Sequence, residues 1–176
     1  MTALIIIFIV FVFFVALWAF SNLIAIVGGS PPVHTPRTLC KEILHHAGVG
    51  KKDTLIDLGS GSGNMLVSAV KDYGATAIGY EISPSPYLLS KIKTALMGQK
   101  ARINYASVFE AKLSDATVVF VYLLPKILKT LETKIKEECK PGTLIISRGF
   151  PLAGLKPVRT FMASSVKTKI FLYRVR

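Results

Sequence analysis

From Ala3 to Val27 the chain has no charged residue, and all 22 Lys and Arg and all 10 Asp and Glu lie outside that stretch. The formal charge of +12 therefore belongs to the rest of the chain. So basic a remainder is drawn to anionic surfaces, whether lipid head groups or RNA. Part of the excess is ordinary solvated helix, since Lys126, Lys129, Lys134 and Lys136 are interspersed with Glu132, Glu137 and Glu138. Cysteine is scarce. Cys40 and Cys139 supply neither a disulfide framework nor metal-ligand spacing, and two free thiols suit a reducing compartment. Histidine is nearly as rare: His45 and His46 point different ways on a helix, and neither they nor His34 have a ligand at metal-binding spacing. No metal is expected, and no internal repeat or low-complexity segment occurs.

The uncharged stretch is almost wholly apolar from Leu4 to Phe20. As a helix, Ala3 to Val27 extends roughly 38 Å, enough to cross a bilayer core of about 30 Å. No Lys or Arg precedes it and no small-x-small site closes it, so it reads as an uncleaved anchor rather than a signal peptide. A buried core helix fits less well, because the remaining chain could hardly cover a segment apolar on every face. The expected organisation is an anchor at 1–28, a proline-rich linker at 29–36 and one domain at 37–176. Arg37, Lys41, Lys51 and Lys52 follow the anchor closely, which places the domain on the cytoplasmic side, or the matrix side of a mitochondrion. After the linker, Thr35 is expected to cap an amphipathic helix with Pro36 at its first position.

The domain is organised around residues 53–64. An apolar run from Leu55 to Leu58 ends in Gly59, Gly61 and Gly63 and passes into a helical pattern at Met65. Glycines there permit a sharp turn at positive φ and let a ligand approach backbone N–H groups. A dinucleotide fingerprint would need Gly or Ala at position 64, where Asn64 stands, and a phosphate loop would need Lys and Ser or Thr after the last glycine. Neither is met. The pattern present is an acidic residue, Asp57, followed by x-G-x-G-x-G. A second strand, Ala75 to Glu81, ends in a carboxylate suited to accept hydrogen bonds from both hydroxyls of a ribose.

Asp57 to Gly63 followed by Gly79-Tyr80-Glu81 resembles the class I S-adenosylmethionine-dependent methyltransferases. The later pattern agrees. Helical spacing of Leu88, Ile92 and Leu96 within 87–97 gives a crossover, and strands are expected at 101–106, 115–122 and 143–147, with a helix at 126–139 opened by Pro125. Two β-rich runs at 158–163 and 167–175 form a closing hairpin. The fold class is α/β, a Rossmann-like seven-stranded methyltransferase sheet with a C-terminal antiparallel hairpin, preceded by one transmembrane helix. Asp57, Glu81, Ser107 and Tyr122 fall at strand C-termini, where such sheets bind ligands.

The anchor, the linker, Gly79 to Ile82 and the strand exit Val121 to Pro125 narrow the resemblance to small membrane-anchored protein-lysine methyltransferases of the ADP/ATP carrier and ATP synthase c-subunit type. That resemblance implies S-adenosylmethionine as cofactor, which is an intracellular metabolite, with Asp57, Gly59, Ser60, Gly61 and Gly63 forming the turn beneath it. Glu81 and the adjoining Ile82 would take the ribose end, and Ser107 with Val108 the adenine. Ser107 stands where the wider class has an acidic residue, so neighbouring backbone groups would serve instead. Thr35, just before the first helix, could fold over the cofactor. Tyr122 is the candidate to line the substrate channel and orient the amine, with ring packing beneath the cofactor as the alternative. The expected partners are the bilayer and a membrane-protein substrate. The compact domain leaves little surface for a folded RNA, and the sequence sets no oligomeric state. Two other classes stay open: methylation of a small lipophilic substrate, and a non-catalytic tethered module that binds the cofactor or RNA.

Overall fold

A computed structural model describes residues 1–27 and 33–176. Residues 28–32, which hold the first half of the expected linker, lie outside the described residues. Helix α1 spans Thr2–Val27, and its segment Thr2–Ser21 is long and apolar enough to cross a membrane. Phe8, Phe11 and Trp18 stand more than half exposed along it, as they would facing lipid. A membrane span and a signal sequence share these properties.

The domain alternates helices and strands: α2 (Arg37–Ala47), β1 (Thr54–Leu58), α3 (Asn64–Tyr73), β2 (Thr76–Glu81), α4 (Pro84–Ala95) and β3 (Ala101–Tyr105). Then come β4 (Val118–Val121), α5 (Pro125–Glu138), β5 (Leu144–Arg148), β6 (Arg159–Ala163) and β7 (Thr168–Arg174). The strands form one sheet in the order β3-β2-β1-β4-β5-β7-β6, parallel throughout except for β7, which runs antiparallel to both its neighbours. The expected seven-stranded mixed sheet with its terminal hairpin is present.

Both faces of the central strands are covered, so their side chains alternate between two cores rather than between core and water. Leu55, Ala77, Phe120 and Ile146 pack with Leu39, Ile43, Leu44 and Leu66 of α2 and α3. Ile56, Leu58, Val119, Val121 and Ile145 pack with Leu128, Leu131 and Ile135 of α5. Cys40 and Cys139 are buried free thiols in these two cores, and burial pushes them up to about 12 and about 11.

Two local expectations need correction. Helix α2 begins at Arg37, with Pro36 in extended conformation as its N-cap and no side-chain capping bond. Thr35 is therefore no cap, because its hydroxyl accepts from Arg148 Nη1 at 2.7 Å instead. Helix α4 begins at Pro84, three residues before the expected start, since Pro84 and Pro86 fall in the first turn, where a missing N–H costs nothing.

Candidate active site

The C-terminal ends of β1, β2 and β4 open into a cavity of about 460 Å³, within the usual size range of small-molecule sites. Most of the expected residues meet here. Asp57, Gly59, Ser60 and Gly61 form one wall, Glu81 and Ile82 the next, Ser107 and Val108 the far end, and Thr35 and Tyr122 the side opposite. Gly63 is the exception. It adopts φ 78 as the N-cap of α3 and packs against α4, where a Cβ would collide with Ser90 Oγ. Its task is the turn rather than the wall.

Four amides of the turn are taken up within the chain itself. Gly59 and Ser60 donate to Tyr80 O, Gly63 donates to Ser60 O, and Gly61 donates to Glu81 Oε2 at 2.8 Å. The glycines supply positive φ, 84 at Gly59 and 52 at Gly61, so that this network can close. Glu81 is held at both oxygens, for its Oε1 also accepts from Ser83 N at 2.7 Å. A buried carboxylate fixed by two amides cannot swing, and its spare lone pairs remain for hydroxyls in the cavity.

Two buried polar atoms of this wall, Asp57 Oδ1 and Ser60 Oγ, have no hydrogen-bond partner among the described residues. Buried polar atoms need partners, so such orphans mark where a polar ligand belongs. Burial, with a smaller contribution from the Glu81 charge, pushes Asp57 up to about 8. A hydroxyl-bearing, cationic ligand such as S-adenosylmethionine suits both the orphans and the paired carboxylates.

At the far end Ser107 caps a single turn, Val108–Glu110. Its hydroxyl accepts from Phe109 N while Glu110 Oε1 accepts from Ser107 N. The Glu110 carboxylate is thus committed to a capping box, and the Val108 amide lies outside that box. On the opposite side Arg148 lies under Tyr122, its guanidinium carbon 4.0 Å from the ring centroid. Arg148 is only 4% exposed, no carboxylate pairs with it among the described residues, and burial lowers its pKa. It escaped the sequence reading, as did Asn64, whose Nδ2 donates to Thr35 O at 3.0 Å and contacts the His34 ring at 3.1 Å. These bonds hold the segment before α2 against the cavity.

Sheet order, cavity position and acidic strand ends together define an S-adenosylmethionine-dependent methyltransferase. The profile of the ANTKMT methyltransferase domain matches residues 57–159, and the chain belongs to that family of protein-lysine methyltransferases. A protein-lysine N-methyltransferase of Saccharolobus islandicus (strain REY15A) is 34% identical over 130 residues, covering 72% of this chain and 81% of that protein. The adenine nucleotide translocase lysine N-methyltransferase of Mus musculus is 32% identical over 111 residues, 62% of this chain; the aligned part is 48% of the mouse protein. Among solved structures, an RNA methyltransferase from Salinibacter ruber in complex with S-adenosyl-L-homocysteine superimposes with a TM-score of 0.75 at 30% identity, covering 81% of this chain and 94% of that one.

Proposed function

We propose that this chain is a membrane-anchored enzyme that N-methylates a lysine of a membrane protein. The observation that carries the reading is the attachment of α1 to the cavity's surroundings: Ser85 N, at the start of α4, donates to Ser21 Oγ at 3.1 Å. Kinship with lysine methyltransferases supports the reaction, and this contact supports its place beside the anchor. Residues 1–28 act as the anchor, 29–36 as the linker and 37–176 as the catalytic domain. The basic residues after the anchor favour the cytoplasmic or matrix side.

Glu81 takes the ribose hydroxyls, Asp57 faces the cationic methionine end, Gly59, Ser60 and Gly61 shape the floor, and Gly63 holds the turn behind them. Ile82, Ser107 and the Val108 amide receive the adenine, and Thr35 closes the opposite side. The cofactor supplies an electrophilic methyl group on a sulfonium. The chain's own task is to present a neutral amine in line with it. Tyr122, braced on Arg148, orients that amine with its hydroxyl, while the buried guanidinium and the apolar walls Leu123 and Ile127 disfavour the ammonium form. Tyr122→Phe is expected to lower kcat by about 5- to 10-fold, the equivalent of one hydrogen bond of about 1–1.5 kcal/mol, with cofactor affinity unchanged. Full turnover in that variant would remove the orienting role.

Incubation with radiolabelled S-adenosylmethionine and membranes lacking the protein, followed by gel separation and solvent extraction, tests the whole reading. A discrete labelled membrane protein, lost with Glu81→Ala, is expected. Label confined to the lipid extract would move the acceptor to a small lipophilic molecule. Cofactor binding without any label would leave a binding module.

A further inference from the structure

Helix α4 is built inside out. At 100° per residue, Ser85, Leu88, Leu89, Ile92 and the C-cap Leu96 fall on one stripe. That stripe faces away from the protein: Leu88, Leu89, Ile92 and Leu96 are 55%, 53%, 58% and 80% exposed. On the opposite side the small polar residues Ser90 and Thr94 are buried. A water-facing helix has the reverse arrangement. A contiguous aliphatic stripe of this kind marks a surface that meets something apolar.

What it meets is indicated by its two ends and its edges. Ser85, at the head of the stripe, is bonded to Ser21, where the candidate span Thr2–Ser21 ends. If α1 crosses the bilayer, α4 starts at head-group level. Lys91 on the helix and Lys100 and Arg102 just beyond it are exposed, placing positive charge beside the apolar stripe. Apolar side chains with flanking basic residues are the pattern of helices that lie in the membrane interface. The stripe also runs into the cavity, because Leu89 belongs to both, and half-exposed Ile82 and Phe109 continue the apolar rim.

We infer that α4 lies in the head-group boundary of an anionic bilayer with its leucine stripe in the lipid, turning the cavity mouth toward the membrane surface. This rests on the anchored reading above and sharpens it. The acceptor lysine then stands at head-group depth, near the end of a membrane-embedded segment, rather than on a soluble domain.

The chain carries a single tryptophan, Trp18 in α1, which gives the test an internal reference. The full chain is reconstituted into vesicles of zwitterionic and anionic phospholipid brominated on the acyl chains, and tryptophan quenching is measured. Trp18 reports α1. In a Trp18→Phe background, Ile92→Trp reports the stripe, and Lys129→Trp, exposed on α5 across the sheet, serves as control. Quenching of both Trp18 and Ile92→Trp, each at least twofold above Lys129→Trp, is expected. Quenching of Trp18 without Ile92→Trp would overturn the interfacial placement and leave the anchor standing. An unquenched Trp18 would overturn both. Protection of Ile92→Trp, with disulfide crosslinking of Ile92→Cys between chains, would overturn the lipid contact in favour of a second copy.

Discussion

Asp57 is a buried carboxyl beside a second one, Glu81, and its proton is set by that placement. With its pKa raised from 3.8 to about 8, the folded chain favours the neutral acid. The stability this lends is full below pH 3.8 and is lost as pH rises to about 8. Asp57→Asn, neutral at every pH, should therefore melt increasingly above the parent across that window in ligand-free thermal scans. A parallel pair of curves would show that Asp57 is not so perturbed. Asp57 and Glu81 were legible in the sequence because each closes an apolar run at a strand end. Arg148 was not, since an arginine ending a strand looks like a surface residue until β5 is paired on both sides and Thr35 and the Tyr122 ring close over it. The misreading of Thr35 has the same root: its hydroxyl had a local capping role available, and the residue that claims it lies 113 positions away.

At the scale of elements, spacing revealed α4 as a helix but not which face it buries. Periodicity records that apolar residues share a side; it says nothing of whether that side meets a sheet or a membrane. The strands were more legible, because β-branched runs buried on both faces have few other uses. The contact joining α2 to the terminal hairpin was invisible beforehand. Glu42 accepts from the amides and hydroxyls of both Ser164 and Ser165, pinning the β6–β7 turn. These bonds, led by the Ser165 hydroxyl, hold its pKa down from 4.5 to about 2. Its stabilising effect is thus present above pH 4.5 and fades as pH falls to about 2. Glu42→Gln should melt below the parent at neutral pH, by an amount that shrinks over that acid interval; hydrogen exchange at Ser164 and Ser165 should quicken in the same variant.

For the molecule as a whole, the uncharged N-terminal stretch and the +12 remainder describe one asymmetric object. Each basic residue near an anionic surface contributes about 1 kcal/mol, and the attraction is screened beyond about 10 Å at 0.1 M salt. Methylation of a membrane acceptor should accordingly fall with rising salt in anionic vesicles and respond less in neutral ones. Equal salt sensitivity in both would place the effect inside the site. The closeness of Ser90 to Gly63 joins this surface behaviour to the cavity, because α4 rests on the turn that shapes the floor. On the inferred placement of α4, lipid contact and cofactor occupancy form a thermodynamic cycle. Whatever factor a bilayer adds to cofactor affinity through that contact, the cofactor must return to the bilayer, so that a loaded enzyme and an empty one would hold the membrane with unequal strength.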